Sequence, residues 1–194
     1  METHKKLIGV DEVGRGCLAG NVISAAVFIP NDIPSEAFRD SKKLSKKMRE
    51  ELYVIISRDC LWGIGSVGPE KIDEINIANA TYLSMKLAIS DLFSRNKNLL
   101  KSDFKLMIDG DRFTGYPGME HECIIKGDDK FKCISAASII AKVSRDLEMK
   151  VLGESFPGYL WGKNVGYGTK EHSDAINRLG LNKHHRKSFC SKFI

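Results

Sequence analysis

The sequence predicts an α/β fold built on a mixed sheet. Apolar segments at 7–13 and 21–29 lie close enough to pair as an antiparallel hairpin, and later strand-like segments alternate with helical ones. Three of these strands also end in acids: Asp11-Glu12, Asp109 and Asp128.

Residues 7–13 read as the first strand. Residues 21–29, Asn-Val-Ile-Ser-Ala-Ala-Val-Phe-Ile, read as the second, bracketed by Gly20 and Pro30. Ser45 suits the N-cap of a helix in which Met48, Leu52 and Ile55 share one side, with Lys47, Glu50 and Arg58 largely off it. Residues 61–67 read as a third strand. Helical spacing runs over 70–96 with a break near Asn76; Ala78, Tyr82, Met85, Ile89 and Leu92 make the stripe for packing on a sheet. Residues 104–108 read as a strand leading into Asp109, and 123–125 as a short strand before Lys126-Gly127-Asp128-Asp129. The clearest helix covers 132–152, with Ala136, Ile140, Val143, Leu147 and Val151 in one row. Its small run Ser135-Ala136-Ala137-Ser138 favours close approach to a neighbour. Asp129 is the nearer candidate to cap this helix and Asp128 the nearer ligand; spacing leaves that open. An ordered loop over 156–169, a short helix from about 170 to 179 and a basic stretch at 182–187 complete the chain. With no repeat or long linker, the expected organisation is one domain over 1–194 with a short C-terminal tail from about 180.

At 42% hydrophobic and 28% charged, the composition excludes disordered and fibrous classes. A net charge of +5 permits a nucleic-acid partner without requiring one. The cysteines at 17, 60, 123, 133 and 190 are odd in number and have no C-x-x-C spacing, against a zinc site or a complete disulfide framework. No membrane-length apolar run occurs. A soluble, cytoplasmic protein with no membrane association is expected.

Adjacent carboxylates at a strand end repel one another, and burial raises the pKa of whichever lacks a cation. A divalent metal relieves that cost. Convergence of the strand-end acids would call for a pair of ions roughly 3.5–4 Å apart, the arrangement suited to phosphodiester hydrolysis. With no histidine in the set, Mg²⁺ or Mn²⁺ is favoured over zinc. Taken singly, Asp109-Gly110-Asp111 also suits a turn, and Gly127-Asp128-Asp129 a loop before a helix. Gly14-Arg15-Gly16 adds a close-approach turn and a planar donor for phosphate. One geometric problem stands out: neighbours on a strand point to opposite faces, so for both Asp11 and Glu12 to reach a metal the strand must end or bulge there.

Several separated motifs share one resemblance. They are Asp-Glu-Val-Gly-Arg-Gly-Cys-Leu-Ala-Gly at 11–20, Asp40-Ser41-Lys42-Lys43-Leu44-Ser45, and Lys126-Gly127-Asp128 followed by Ile134-Ser135-Ala136-Ala137-Ser138 and Lys142. Gly166-Tyr167-Gly168-Thr169-Lys170-Glu171-His172 and His185-Arg186-Lys187-Ser188-Phe189 continue the series. In this order, from about 7 to 190, they resemble ribonuclease HII, the type 2 ribonucleases H. Arg15 favours that family over type HIII, which typically has Gly-Thr-Gly there.

The resemblance implies a ribonuclease H-like fold with a mixed five-stranded sheet flanked by helices. It implies cutting of RNA in RNA–DNA hybrids and 5′ of single ribonucleotides in duplex DNA, leaving 3′-hydroxyl and 5′-phosphate ends. Asp11, Glu12, Asp109 and Asp128 match the catalytic, metal-binding acids, with Asp11 and Asp109 expected to share metals and Mg²⁺ or Mn²⁺ as cofactor. Gly14, Arg15 and Gly16 match the turn that senses the 2′-hydroxyl, and Tyr167 the tyrosine at the junction sugar. Lys42 and Asn79 lie where phosphate-contacting residues are placed. A monomer acting on hybrids and on ribonucleotide-containing duplexes is expected. His172 and His185 are expected to be structural or phosphate-facing, not general bases. Asn21 replaces the usual proline, which loosens a turn but removes no ligand; Leu160 and Val165 replace the usual glycine and basic residue, which would weaken duplex contact near Tyr167. Residues 190–194 contain no clear sliding-clamp-binding peptide.

Overall fold

In the computed structural model, residues 5–30 and 45–193 are described. Strands β1 (Lys6–Val13), β2 (Val22–Phe28), β3 (Leu61–Val67), β4 (Phe104–Asp109) and β5 (Glu120–Ile124) form one mixed sheet in the order β3-β2-β1-β4-β5. The expected hairpin is present: β1 and β2 are antiparallel from Ile8↔Phe28 to Val13↔Ile23. β4 runs parallel to β1, and β5 parallel to β4. Helices α1 (Lys46–Asp59), α2 (Pro69–Arg95) and α3 (Lys132–Ser155) cover the sheet, and the short α4 (Trp161–Asn164) and α5 (Lys170–Leu179) follow.

Alternation along the strands assigns the faces. Ala26, Ile8 and Val10 pack with Met85, Ile89 and Leu92 of α2, whereas Ala25 and Val27 pack with Leu52 and Ile56 of α1 and Ala136 and Ile140 of α3. β1 is therefore buried on both sides, as a central strand between helical layers must be. At Gly9 the α3 layer comes so near that a Cβ would lie 2.1 Å from the Cys133 carbonyl carbon and 2.3 Å from the Ile134 nitrogen. This close approach falls at Cys133 and Ile134, just ahead of the small run at 135–138, with glycine on the strand as the partner.

Several details differ from the sequence reading. On α1, Ser45 caps as expected by accepting from Met48 N–H, but Leu52 and Ile56 are the buried residues and Met48 is exposed. On α2 the break is at Asn76, with φ of 66°, and its side chain accepts from the Asn79 N–H to restart the helix. Thr81, Ser84 and Ala88 join Met85, Ile89 and Leu92 inside, leaving Ala78 and Tyr82 half-buried. On α3, Leu147 and Val151 are exposed because Arg145 and Met149 occupy the inner face after Val143. β5 begins three residues before the expected segment and excludes the exposed Ile125. Asp129 does not cap α3: the N-cap position is Phe131, without a side-chain cap bond. Within the basic stretch, His185 and Arg186 are buried. All five cysteines are free, and no described helix is long and apolar enough to cross a membrane.

Candidate active site

β1 outlasts β4. Its pairing with β4 stops at Val10↔Ile108, while its pairing with β2 continues through Val13↔Ile23. Beyond Val10, one edge of β1 is therefore open, and no bulge is needed. Asp11 lies on the Gly9 face toward Ser138 of α3, and Glu12 follows on the open edge; both line one cleft of about 430 Å³ with Asp109. Val13, Arg49, Ser138, Ile139, Lys142 and Tyr167 complete its walls.

Burial, then Glu12, then Asp109 push the Asp11 carboxyl well above the ordinary carboxylate range, against hydrogen bonds from Ser138 and the Glu12 backbone. The Glu12 N–H donates to Asp11 Oδ1 at 2.7 Å. Burial also raises Glu12, opposed by the Arg15 guanidinium, whose Nη1 is 3.1 Å from Glu12 Oε1. Asp109 Oδ1 accepts the Gly127 N–H at 2.7 Å. That turn depends on Lys126, in the left-handed region at φ 55°, and it carries the buried Asp128. Asp128 is not among the residues lining the cleft, but the Gly127 bond joins its turn to Asp109.

The segment after the acids is held by two buried arginines. Arg145 donates from Nε to Asn21 O (3.0 Å), from Nη1 to Val165 O (2.8 Å) and from Nη2 to Ala19 O (3.1 Å). Arg186 donates from Nε and Nη2 to Gly20 O (3.0 and 2.9 Å) and from Nη1 to Arg15 O (2.9 Å). These bonds satisfy most of each guanidinium's donors without a carboxylate. Burial nevertheless lowers the pKa of Arg186 to about 10. Gly14, at φ 87°, lies directly on Arg145, where a Cβ would be 2.2 Å from its Nε. Gly16 is different: it is exposed, and a Cβ there would meet nothing within 4 Å. Arg15 is mostly exposed beyond its pairing with Glu12.

Tyr167 is 42% exposed at the cleft wall, and its hydroxyl interacts with the buried Cys17 thiol. Lys42 lies outside the described residues. Asn79 is exposed at the α2 kink, its side chain donating to Ile75 O at 3.0 Å, and it does not line the cleft. Sequence reasoning assigned no role to Arg49, Ser138, Lys142, Arg145 or Arg186. Ser138 and Lys142 carried a usable signal, since a spacing of four places them on one side of α3. Lys142 is held toward Asp146 at 2.7 Å.

The donor set fits a hard divalent cation. Asp11, Glu12 and Asp109 are all-oxygen ligands that repel one another in a partly dry cleft, with no histidine or cysteine on its walls. Among the described residues, no three His, Cys, Asp or Glu side chains are gathered as a ready-made ligand cage. Each of the three acids has an oxygen resting on a protein donor: the Glu12 N–H, Arg15 and the Gly127 N–H. An ionised carboxylate offers about four lone-pair sites, so each retains capacity for a cation.

A family model for ribonuclease HII matches residues 8–192. The chain is 47% identical over 190 residues to ribonuclease HII of Parabacteroides distasonis, covering 97% of this chain and 92% of the relative. It is also 47% identical over 189 residues to that of Bacteroides thetaiotaomicron, covering 96% and 91%. Among solved structures, ribonuclease HII of Archaeoglobus fulgidus in its PCNA complex is 26% identical with a TM-score of 0.73, covering 93% of each chain. Ribonuclease H2 of Pyrococcus horikoshii (22% identity, TM-score 0.72, 97% and 96% coverage) shares the fold. So does Bst-RNase HIII in complex with Mn²⁺ (16%, 0.77, 97% and 69%). With the ribonuclease H-like fold in place and a family match spanning nearly all of its length, the chain belongs to the ribonuclease HII family and is an endoribonuclease of the ribonuclease H type.

Proposed function

We propose that the protein hydrolyses the RNA strand of RNA–DNA hybrids and also cuts 5′ of single ribonucleotides embedded in duplex DNA, leaving 3′-hydroxyl and 5′-phosphate ends. The observation that carries this reading is the meeting of Asp11, Glu12 and Asp109 at the open edge of β1, beside the Gly14–Gly16 turn and Tyr167. When bound by these acids and Asp128, Mg²⁺ or Mn²⁺ would supply Lewis acidity at the entering and leaving oxygens of the phosphodiester.

The chain's own residues do the rest. Asp11 and Asp109, from adjacent parallel strands, would hold the cation beside the reacting phosphate. Glu12 completes the carboxylate set, with Arg15 neutralising it until substrate arrives. Gly16 is glycine although neither crowding nor a positive φ requires it, which suits a backbone kept bare for the ribose. Tyr167 offers an exposed ring face beside the junction sugar. Lys142 and Arg49 bring positive charge to the cleft wall for flanking phosphates, Asn79 serves phosphates further out, and Lys42 is a further phosphate contact. The protein acts as a cytoplasmic monomer. The clamp complex belongs to the Archaeoglobus relative.

The test uses one labelled DNA duplex with a single ribonucleotide, its all-DNA counterpart and an RNA–DNA hybrid, each with Mg²⁺ and Mn²⁺. Cleavage 5′ of the ribonucleotide with the all-DNA duplex intact is the expected result. Equal cleavage of the all-DNA duplex would overturn the ribonucleotide specificity.

A further inference from the structure

Two consecutive buried residues, His185 and Arg186, each reach one of the elements assigned to ribose recognition. Arg186 holds the Gly14–Gly20 segment through Arg15 O and both bonds to Gly20 O. Its own N–H donates to Leu18 O at 2.8 Å, and Gly20 N–H donates to His184 O at 2.9 Å. The segment is therefore bonded along its backbone as well as at its carbonyls.

His185 reaches Tyr167 through His172. His172 Nδ1 faces the Tyr167 carbonyl at 2.9 Å, so that nitrogen carries the proton. Its Nε2 then accepts Trp161 Nε1–H at 3.0 Å and lies 3.2 Å from His185 Nε2. His185 Nδ1 accepts the Asn182 N–H at 3.1 Å. His185 Nδ1 also lies 3.2 Å from Asn182 Oδ1, so Asn182 anchors the ring through two contacts, and burial favours the neutral form of both imidazoles. The two recognition elements also touch each other, since Leu18 N–H and Ala19 N–H donate to Gly166 O at 2.8 and 3.3 Å.

We propose that His185 and Arg186 are positioning residues that set the spacing between the Gly14–Gly16 turn and Tyr167, and so tune cleavage at single ribonucleotides. This rests on the ribonucleotide-cutting reading above. The planar guanidinium fork fixes two carbonyls in one rigid geometry that a flexible lysine does not hold, and the imidazole chain bears on the Tyr167 carbonyl. Single ribonucleotides depend on this spacing most, because only one ribose is available to engage both elements; a long hybrid offers many registers.

The experiment compares Arg186→Lys, His185→Leu and the conservative His185→Gln in the full chain, on the single-ribonucleotide duplex and on a long hybrid, with Mn²⁺ affinity and thermal unfolding measured alongside. Arg186→Lys and His185→Leu are expected to lower kcat on the single-ribonucleotide duplex by about tenfold or more, as misplaced reacting groups do. The loss on the long hybrid should be several-fold smaller, with KM and Mn²⁺ affinity little changed. His185→Gln, which keeps an N–H near the Nε2 position, should restore most of the rate. Wild-type kcat in both disruptive variants would overturn the proposal. So would equal losses on both substrates accompanied by weakened Mn²⁺ binding, or failure of both to fold, each pointing to a purely structural lock. A wild-type protein that spares the ribonucleotide-containing duplex would instead sink the functional reading itself.

Discussion

The backbone N–H of Gly127 donates to Asp109 Oδ1 at 2.7 Å, tying the end of β4 to the turn that carries Asp128. Asparagine at 109 could keep this acceptor while giving up the charge. Asp109→Asn is therefore expected to fold with an unchanged or raised urea midpoint, since repulsion with Asp11 and Glu12 disappears. Its cleavage rate should fall by roughly 10²-fold or more, the scale of losing a transition-state charge stabiliser. Asp109→Ala should in addition lose about 1–3 kcal/mol by stranding the Gly127 N–H. Near-normal activity of the asparagine variant would remove Asp109 from the catalytic set.

The raised Asp11 and Glu12 carboxyls are expected to make stability depend on metal. Without metal the fold favours their protonated forms, so stability declines as pH rises from their ordinary values of 3.8 and 4.5 through the raised ones. Cation binding needs the ionised forms and opposes this decline. Mg²⁺ at 100 times its Kd should add about 2.7 kcal/mol. Urea unfolding in chelator and in Mg²⁺, from about pH 5 to pH 8, measures both effects. Asp11→Asn should stabilise the metal-free protein and shrink the Mg²⁺ increment. An increment insensitive to that change would place the ion elsewhere.

His185 gives the opposite slope. Burial first, then His172, lower its pKa from 6.5 to about 4. The unfolded chain therefore binds the extra proton between those values, and the stability fully present above 6.5 is lost as pH falls toward 4. The amount is on the order of 3 kcal/mol. Unfolding free energies across that window should show close to one proton more uptake in the wild type than in His185→Gln. Parallel curves would contradict the neutral imidazole chain.

Gly9 sets how closely α3 rests on β1. Its missing Cβ would meet backbone atoms of Cys133 and Ile134, which cannot rotate aside. Gly9→Ala should cost about 3 kcal/mol, the upper range for overpacking. Activity should also fall, because α3 brings Ser138 to Asp11. Calorimetry and the ribonucleotide assay would show both losses; a change within experimental error would refute the packing account.

Leu160 sits in the left-handed region at φ 57° with its side chain 45% exposed. A non-glycine residue is disfavoured there by roughly 1–2 kcal/mol, partly offset by glycine's greater chain entropy when unfolded. Leu160→Gly should raise stability by up to about 1 kcal/mol. Destabilisation would mean that leucine's contacts outweigh the backbone strain.

The strands, and the acids closing the runs at 7–13 and 104–108, were legible because a short apolar run and a carboxylate at its end are local properties. Residues 7–13, 61–67 and 104–108 lie within one residue of the observed strands. The kink at Asn76 was legible for a similar reason, since asparagine tolerates positive φ. Leu147 and Val151 misled because apolar spacing presumes that the inner face of a helix is apolar. Along α3 that face passes to Arg145, a guanidinium made compatible with burial by three carbonyls distant in sequence. Nothing local to Arg145 or Arg186 announces those partners. That Asp11 and Glu12 share one cleft was expected, but how they do so was hidden, because it follows from where β4 stops pairing, a property of two strands together.

The Arg186–Gly20 bonds span 166 residues and the Arg186–Arg15 bond spans 171, so they are among the most non-local contacts in the molecule. A ribosome adding roughly 5–20 residues per second must work for many seconds after making residues 14–20 before their clasp exists. Through that interval the nascent chain already carries Asp11 and Glu12 but lacks the bonds that fix the adjoining turn. Translation itself thereby separates the making of the proposed cutting groups from the completion of the segment proposed to aim them.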